Sequence, residues 1–164
     1  MNTEIIEFYK QSLDLQAVDV NTTSPLILAY IGDCIYDLAV REYVVIHYPG
    51  ALNQVNVKKT TFVCAHAQSE IMGWFIANEV LSEKELSIYK RGRNQKSATH
   101  SKNSSIQEYR RATGFEALIG ALYLDGQYER AITLIQKGLG HLIELEQTVG
   151  SIKNIHQQKL KGKS

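Results

Sequence analysis

Leu28-Ala29-Tyr30-Ile31-Gly32-Asp33-Cys34-Ile35 is the stretch on which the reading of this chain turns. Ser24-Pro25, just before it, reads as an N-cap followed by proline at the first helical position, where the missing N–H costs nothing. From Leu28, apolar residues recur at Ile31, Ile35, Leu38 and Ala39. Steps of three and four predict one stripe of a helix running to about Tyr43 or beyond. Asp33 stands inside that apolar run, where a carboxylate is costly unless it is paired, hydrogen-bonded or bound to a cation. Glycine in mid-helix costs about 0.5–1 kcal/mol relative to alanine, so Gly32 implies the close approach of another backbone.

A second stretch repeats the arrangement. Gly114-Phe115-Glu116-Ala117-Leu118-Ile119-Gly120-Ala121 sets one acid among glycines, alanines and large apolar residues. Ser105-Ile106-Gln107-Glu108 opens its helix with a capping box, and Asp125-Gly126 stops it after Leu124. Another capping box, Ser82-Glu83-Lys84-Glu85, opens a shorter helix. Residues 51–78 read as one mostly helical stretch, 127–146 as an amphipathic helix through Leu134, Leu139 and Leu142, and Ile5 to Tyr9 as an N-terminal helix. No strand alternation or repeat interrupts the pattern. The fold class is all-α, with one domain over 1–146 and a basic, flexible tail over 147–164.

With 44% hydrophobic and 21% charged residues in 164, the chain has material for a core, which excludes a disordered class. No apolar run reaches the roughly 18–20 residues of a membrane span, and two cysteines are too few for a disulfide scaffold. The expected location is the reducing cytoplasm, with no membrane partner. Cys34, beside Asp33 in an apolar helix, is expected to be buried and inert.

The net charge of +1 hides a strong asymmetry. Residues 1–57 hold two basic residues against seven acidic ones, whereas 90–111 hold seven basic residues against Glu108 alone. The basic segment interleaves Lys90, Arg91, Arg93, Lys96, Lys102 and Arg110 with Asn94, Ser97 and other small hydrogen-bonding residues. A charge run is commonly just a solvated face. Here arginines mixed with small polar residues suit the backbone of a polyanion. Each carboxylate, taken singly, could pair with a base such as Arg41 or Arg111. Two acids on different apolar helices beside a basic loop suit a divalent metal held against a phosphodiester.

At these residues the sequence resembles a known family. Ile31-Gly32-Asp33-Cys34-Ile35-Tyr36-Asp37-Leu38 resembles the nuclease signature of the ribonuclease III family, and Phe115 to Asp125 is similar to its second catalytic helix nearly letter for letter. The likeness covers about residues 22–146. Lys90-Arg91-Gly92-Arg93-Asn94 with Lys96-Ser97 is similar to a loop of the short subgroup, Mini-ribonuclease III, which carries no double-stranded-RNA-binding domain.

The resemblance implies a dimeric ribonuclease III-type endonuclease domain that cleaves double-stranded RNA with Mg²⁺. It further implies 5′-phosphate products with short 3′ overhangs and a role in maturing the 23S ribosomal RNA precursor. Asp33 and Glu116 match the family's catalytic, metal-binding aspartate and glutamate, and Asp37 is expected to support Asp33 from one turn further on. Lys90, Arg91, Arg93, Asn94, Lys96, Ser97, Lys102 and Arg110 are the expected RNA contacts. Full-length members also carry acids four residues before that aspartate and three before that glutamate, where Ala29 and Thr113 stand here. That departure favours the rival reading, a non-catalytic RNA-binding or ribosome-binding protein of the same fold. Tyr30, Ile31, Cys34 and Ile35 around Gly32 are the expected self-complementary patch of the homodimer.

Overall fold

The computed structural model describes residues 4–95 and 105–161. They form seven helices: α1 (Glu4–Ser12), α2 (Pro25–His47), α3 (Leu52–Val63), α4 (Ala65–Ala77), α5 (Glu83–Arg93), α6 (Ile106–Leu124) and α7 (Tyr128–Lys161). No strand occurs among the described residues, as an all-α chain requires. Helix α6 is the axle of the fold. Every residue from Ala112 to Leu122 is buried except Glu116, because α2, α4, α5 and α7 all pack around it. Phe115, Leu118 and Ile119 meet Tyr36, Phe62, Ile71, Met72, Phe75 and Leu134 in the main core. Tyr36 sets its ring edge-on to Phe115 at 5.0 Å and donates its hydroxyl to the Phe62 carbonyl at 2.9 Å.

Both capping boxes form as the sequence predicts. The Ser82 hydroxyl accepts from the Glu85 N–H at 3.2 Å while the Glu85 carboxylate accepts from the Ser82 N–H at 2.8 Å. Ser105 and Glu108 do the same at 3.1 and 2.9 Å. Glu85 has a second task. Arg130, at the start of α7, grips its carboxylate through two N–H donors at 2.7 and 2.9 Å and reaches the Val80 carbonyl at 2.8 Å. The start of α5 and the start of α7 are thereby tied by one fork of charge-assisted bonds.

Four details differ from expectation. Pro25 opens α2, but the Ser24 side chain makes no cap; its carbonyl alone takes the Ile27 and Leu28 N–H groups. Residues 51–78 are two helices, broken at Cys64, whose backbone is extended (φ −66°, ψ 156°) after Thr60-Thr61-Phe62-Val63, where Thr60, Thr61 and Val63 are β-branched. The buried line of α2 runs through Leu28, Gly32, Tyr36, Val40 and Val44, one step round from the predicted stripe. Leu38, expected inside, is 57% exposed, and Cys34, expected to be buried, is exposed as well. The cause is Gly32: the neighbouring backbone enters there and fixes which line of the helix faces inward. Finally, α7 continues to Lys161, through the segment read from sequence as a tail.

Candidate active site

Helices α2 and α6 cross backbone to backbone. A Cβ built on Gly32 would lie 1.8 Å from the Glu116 carbonyl oxygen, and one on Gly120 would lie 1.9 Å from the Leu28 carbonyl oxygen. Only glycine fits either place. Asp33 follows Gly32 directly, and Glu116 is the residue whose carbonyl Gly32 touches, so the crossing itself brings the two predicted carboxylates together.

The pair is electrostatically unequal. Burial lifts the Glu116 carboxyl, the charge of Asp33 lifts it further, and the Gln68 amide pulls the other way, leaving it at about 8. Asp33 is exposed, yet partial desolvation still raises its carboxyl, helped by the charge of Asp37 and opposed by Lys59. At neutral pH Glu116 therefore keeps its proton unless a positive charge arrives. Asp37 pairs with Arg41 one turn along α2 and with Lys59 of α3 at 3.5 Å. It acts on Asp33 through its charge while tying α2 to α3.

The donors suit a hard cation. Asp33 and Glu116 offer carboxylate oxygens, and the buried Gln68 holds a side-chain oxygen with no hydrogen-bond partner. Among the described residues no cluster of three or more His, Cys, Asp or Glu is poised as a metal cage. That set fits Mg²⁺, which binds through one or two carboxylates and keeps several waters, better than zinc. Ala29 packs with Ala117 and Ala121 in a small second core. Thr113 is buried with its hydroxyl donated to the Tyr109 carbonyl at 3.1 Å. In this chain both positions serve packing.

The basic segment is partly gathered. Arg93, Asn94 and Arg110 line a cavity of about 400 Å³ between the end of α5 and the start of α6, with Ile106, Gln107 and Arg111. The Arg93 guanidinium lies 5.8 Å from the centre of the Tyr89 ring and donates to the Asn94 side chain at 3.2 Å. Arg91 is turned elsewhere: it donates to the Thr23 carbonyl at 3.0 Å and the Val20 carbonyl at 3.4 Å, fastening the loop before α2 to α5. Lys90 is exposed on α5. Lys96, Ser97 and Lys102 lie outside the described residues.

Two participants escaped sequence reasoning as site residues. Arg111 had been considered only as a partner for an acid. Gln68 left one readable signal, a polar residue on the stripe it shares with Ile71, Met72 and Phe75.

The chain has counterparts among known proteins. Residues 26–127 match the Ribonuclease III domain family. A Mini-ribonuclease 3 from Clostridium tetani is 44% identical over 127 residues, covering 76% of this chain and 77% of the relative. One from Enterococcus faecalis is 44% identical, covering 71% and 89%. A crystal structure of a Fusobacterium nucleatum protein superposes with a TM-score of 0.66 at 30% identity, covering 76% of this chain and 98% of that one. The expected fold thus has its counterpart in known proteins, and this chain belongs to the ribonuclease III family of endoribonucleases.

Proposed function

We propose that the chain is an Mg²⁺-dependent endoribonuclease that cuts double-stranded RNA as a homodimer in the cytoplasm, with the 23S ribosomal RNA precursor as its substrate. The observation that carries this reading is Glu116, the one residue left incompletely buried between Ala112 and Leu122, set beside Asp33 at the glycine crossing. When bound, Mg²⁺ supplies a Lewis acid for the developing phosphoryl charge and a more acidic water. Asp33 and Glu116 would hold and orient it, and Asp37 adds negative charge beside Asp33 that favours the cation. Arg93, Asn94, Arg110 and Arg111 hold backbone phosphates beside the start of α6, with Lys90, Lys96, Ser97 and Lys102 completing the basic segment. Arg91 supports that surface from behind.

For the dimer, α2 offers Ile27, Tyr30 and Leu38, which are 56%, 72% and 57% exposed, on the side away from the core, with Cys34 among them. An apolar strip of this kind suits a two-fold contact. One site per copy then matches two strands per duplex. The rival, a non-catalytic RNA-binding member, draws on the absence of acids at positions 29 and 113. A long RNA duplex incubated with Mg²⁺ or with EDTA separates the two. Cleavage that needs Mg²⁺ and falls at least ~10²-fold in Asp33→Asn and Glu116→Gln supports the enzyme. Binding without cutting in the wild-type protein would leave the rival.

A further inference from the structure

Gln68 is 1% exposed, on the inward stripe of α4, where leucine would fill a similar volume without burying an amide. Its side-chain N–H donates to the Val63 carbonyl at 3.2 Å, across the break at Cys64. The same amide lies close enough to the Glu116 carboxyl to favour its charged form. Turning the amide over would set its oxygen against the Val63 carbonyl oxygen. The Gln68 Oε1 is then left buried with no donor in the protein. A buried acceptor without a partner is destabilising and rare, and its usual remedy is a water or an ion. A site with two carboxylates leaves most of the coordination of a hard cation to waters, whose protons need acceptors.

We infer that Gln68 is a positioning residue of the metal site, fixing the Glu116 carboxyl with its N–H and accepting, on Oε1, a hydrogen bond from a water carried by the cation. The inference rests on the proposed metal site. In this chain a neutral amide thus supplies an oxygen beside the two carboxylates, in a site where Ala29 and Thr113 offer no further carboxylate.

The test is Mn²⁺ binding by titration calorimetry, without RNA, to wild type, Glu116→Gln, Gln68→Leu and Gln68→Glu, together with melting temperatures of the metal-free proteins. Gln68→Leu is expected to lose ~10-fold or more in Mn²⁺ affinity, the usual cost of removing a supporting group around a metal. Its melting temperature should change little, because the orphaned oxygen is removed together with the donor to the Val63 carbonyl. Gln68→Glu keeps an acceptor oxygen without the N–H and should recover only part of the affinity. On an RNA duplex, Gln68→Leu should lower kcat and leave KM unchanged. If wild type takes up no Mn²⁺, the metal site falls and the role of Gln68 with it. If wild type binds, Glu116→Gln does not, and Gln68→Leu binds like wild type, the Gln68 assignment alone is overturned. A lowered melting temperature with unchanged Mn²⁺ affinity in both Gln68 variants assigns the side chain to the helix junction and overturns it equally.

Discussion

Glu116 carries a proton that the unfolded chain gives up at an ordinary acid pH. Its carboxyl rises from 4.5 to about 8 through burial and the charge of Asp33. In the metal-free protein, stability from this group is full below about pH 4.5 and is lost as the pH climbs through about 8. Glu116→Gln removes the dependence. The metal-free variant should melt above wild type at about pH 8–9, with the gap narrowing toward pH 4, each kcal/mol moving the midpoint by roughly 2–4 °C in a chain of this size. Melting curves that stay parallel across that range would refute it. The same proton must leave when a cation binds, so Mn²⁺ affinity should rise with pH until Glu116 is ionised. At this scale the sequence was informative where a charge interrupts an apolar run, as with Asp33 and Glu116. At Gln68 it offered only a polar residue on an apolar stripe, since no spacing records an unpaired oxygen.

Among the elements, the α2–α6 crossing and the α5–α7 fork are the joints most exposed to single changes. Gly120→Ala places a methyl 1.9 Å from the Leu28 carbonyl oxygen, a backbone atom that can yield only if the helices part. We expect a loss of about 3 kcal/mol or more by urea unfolding, at the upper end of overpacking changes. An unfolding midpoint equal to wild type would show that the helices are further apart than described.

Glu85 tests the fork. Arg130 holds its carboxyl below the usual value, with the Ser82 N–H assisting against burial. That stability is present above about pH 4.5 and lost as the pH falls through the lowered folded value. Glu85→Gln keeps an oxygen for the Ser82 cap but loses the charge, so about 1–3 kcal/mol should disappear at neutral pH and less in acid. Equal losses at both pH values would dismiss the ionic contribution.

The capping boxes were legible because their chemistry is local. The break at Cys64 was not, since Ala65 to Ala77 resumes the same apolar period after one extended residue. Nor could periodicity say which line of α2 turns inward, because that depends on where α6 touches it.

For the whole molecule, two readings meet on opposite demands: apolar contact along α2 and phosphate contact at the start of α6. Tyr30→Asp should give a monomer by sedimentation equilibrium with its helical content intact. A wild-type protein that sediments as a monomer at micromolar concentration would end the dimer proposal. In duplex binding without Mg²⁺, Arg93→Ala, Arg110→Ala and Arg111→Ala should each flatten the slope of log affinity against log salt by about one. Arg91→Ala should instead weaken the fold, because its donors go to Thr23 and Val20. A slope unchanged in all three cavity variants would move the RNA surface away from this end of α6. The concentration of positive charge in 90–111 was plain in the sequence. Its division between a cavity and a tether was not, because Arg91 and Arg93 differ only in the side of α5 from which they leave.

The contact between Gly32 and Gly120 also bears on how such a protein can change over generations. Most active sites can drift by small steps, a side chain lengthened here and trimmed there. At this crossing the smallest available step on either helix is a methyl group, and each glycine already has a backbone oxygen where that methyl would go. The gap between the carboxylates is therefore a main-chain dimension that selection can keep or discard but hardly adjust. Adaptation to new targets is left to the surroundings, such as the arginines of α6 and the outer face of α2.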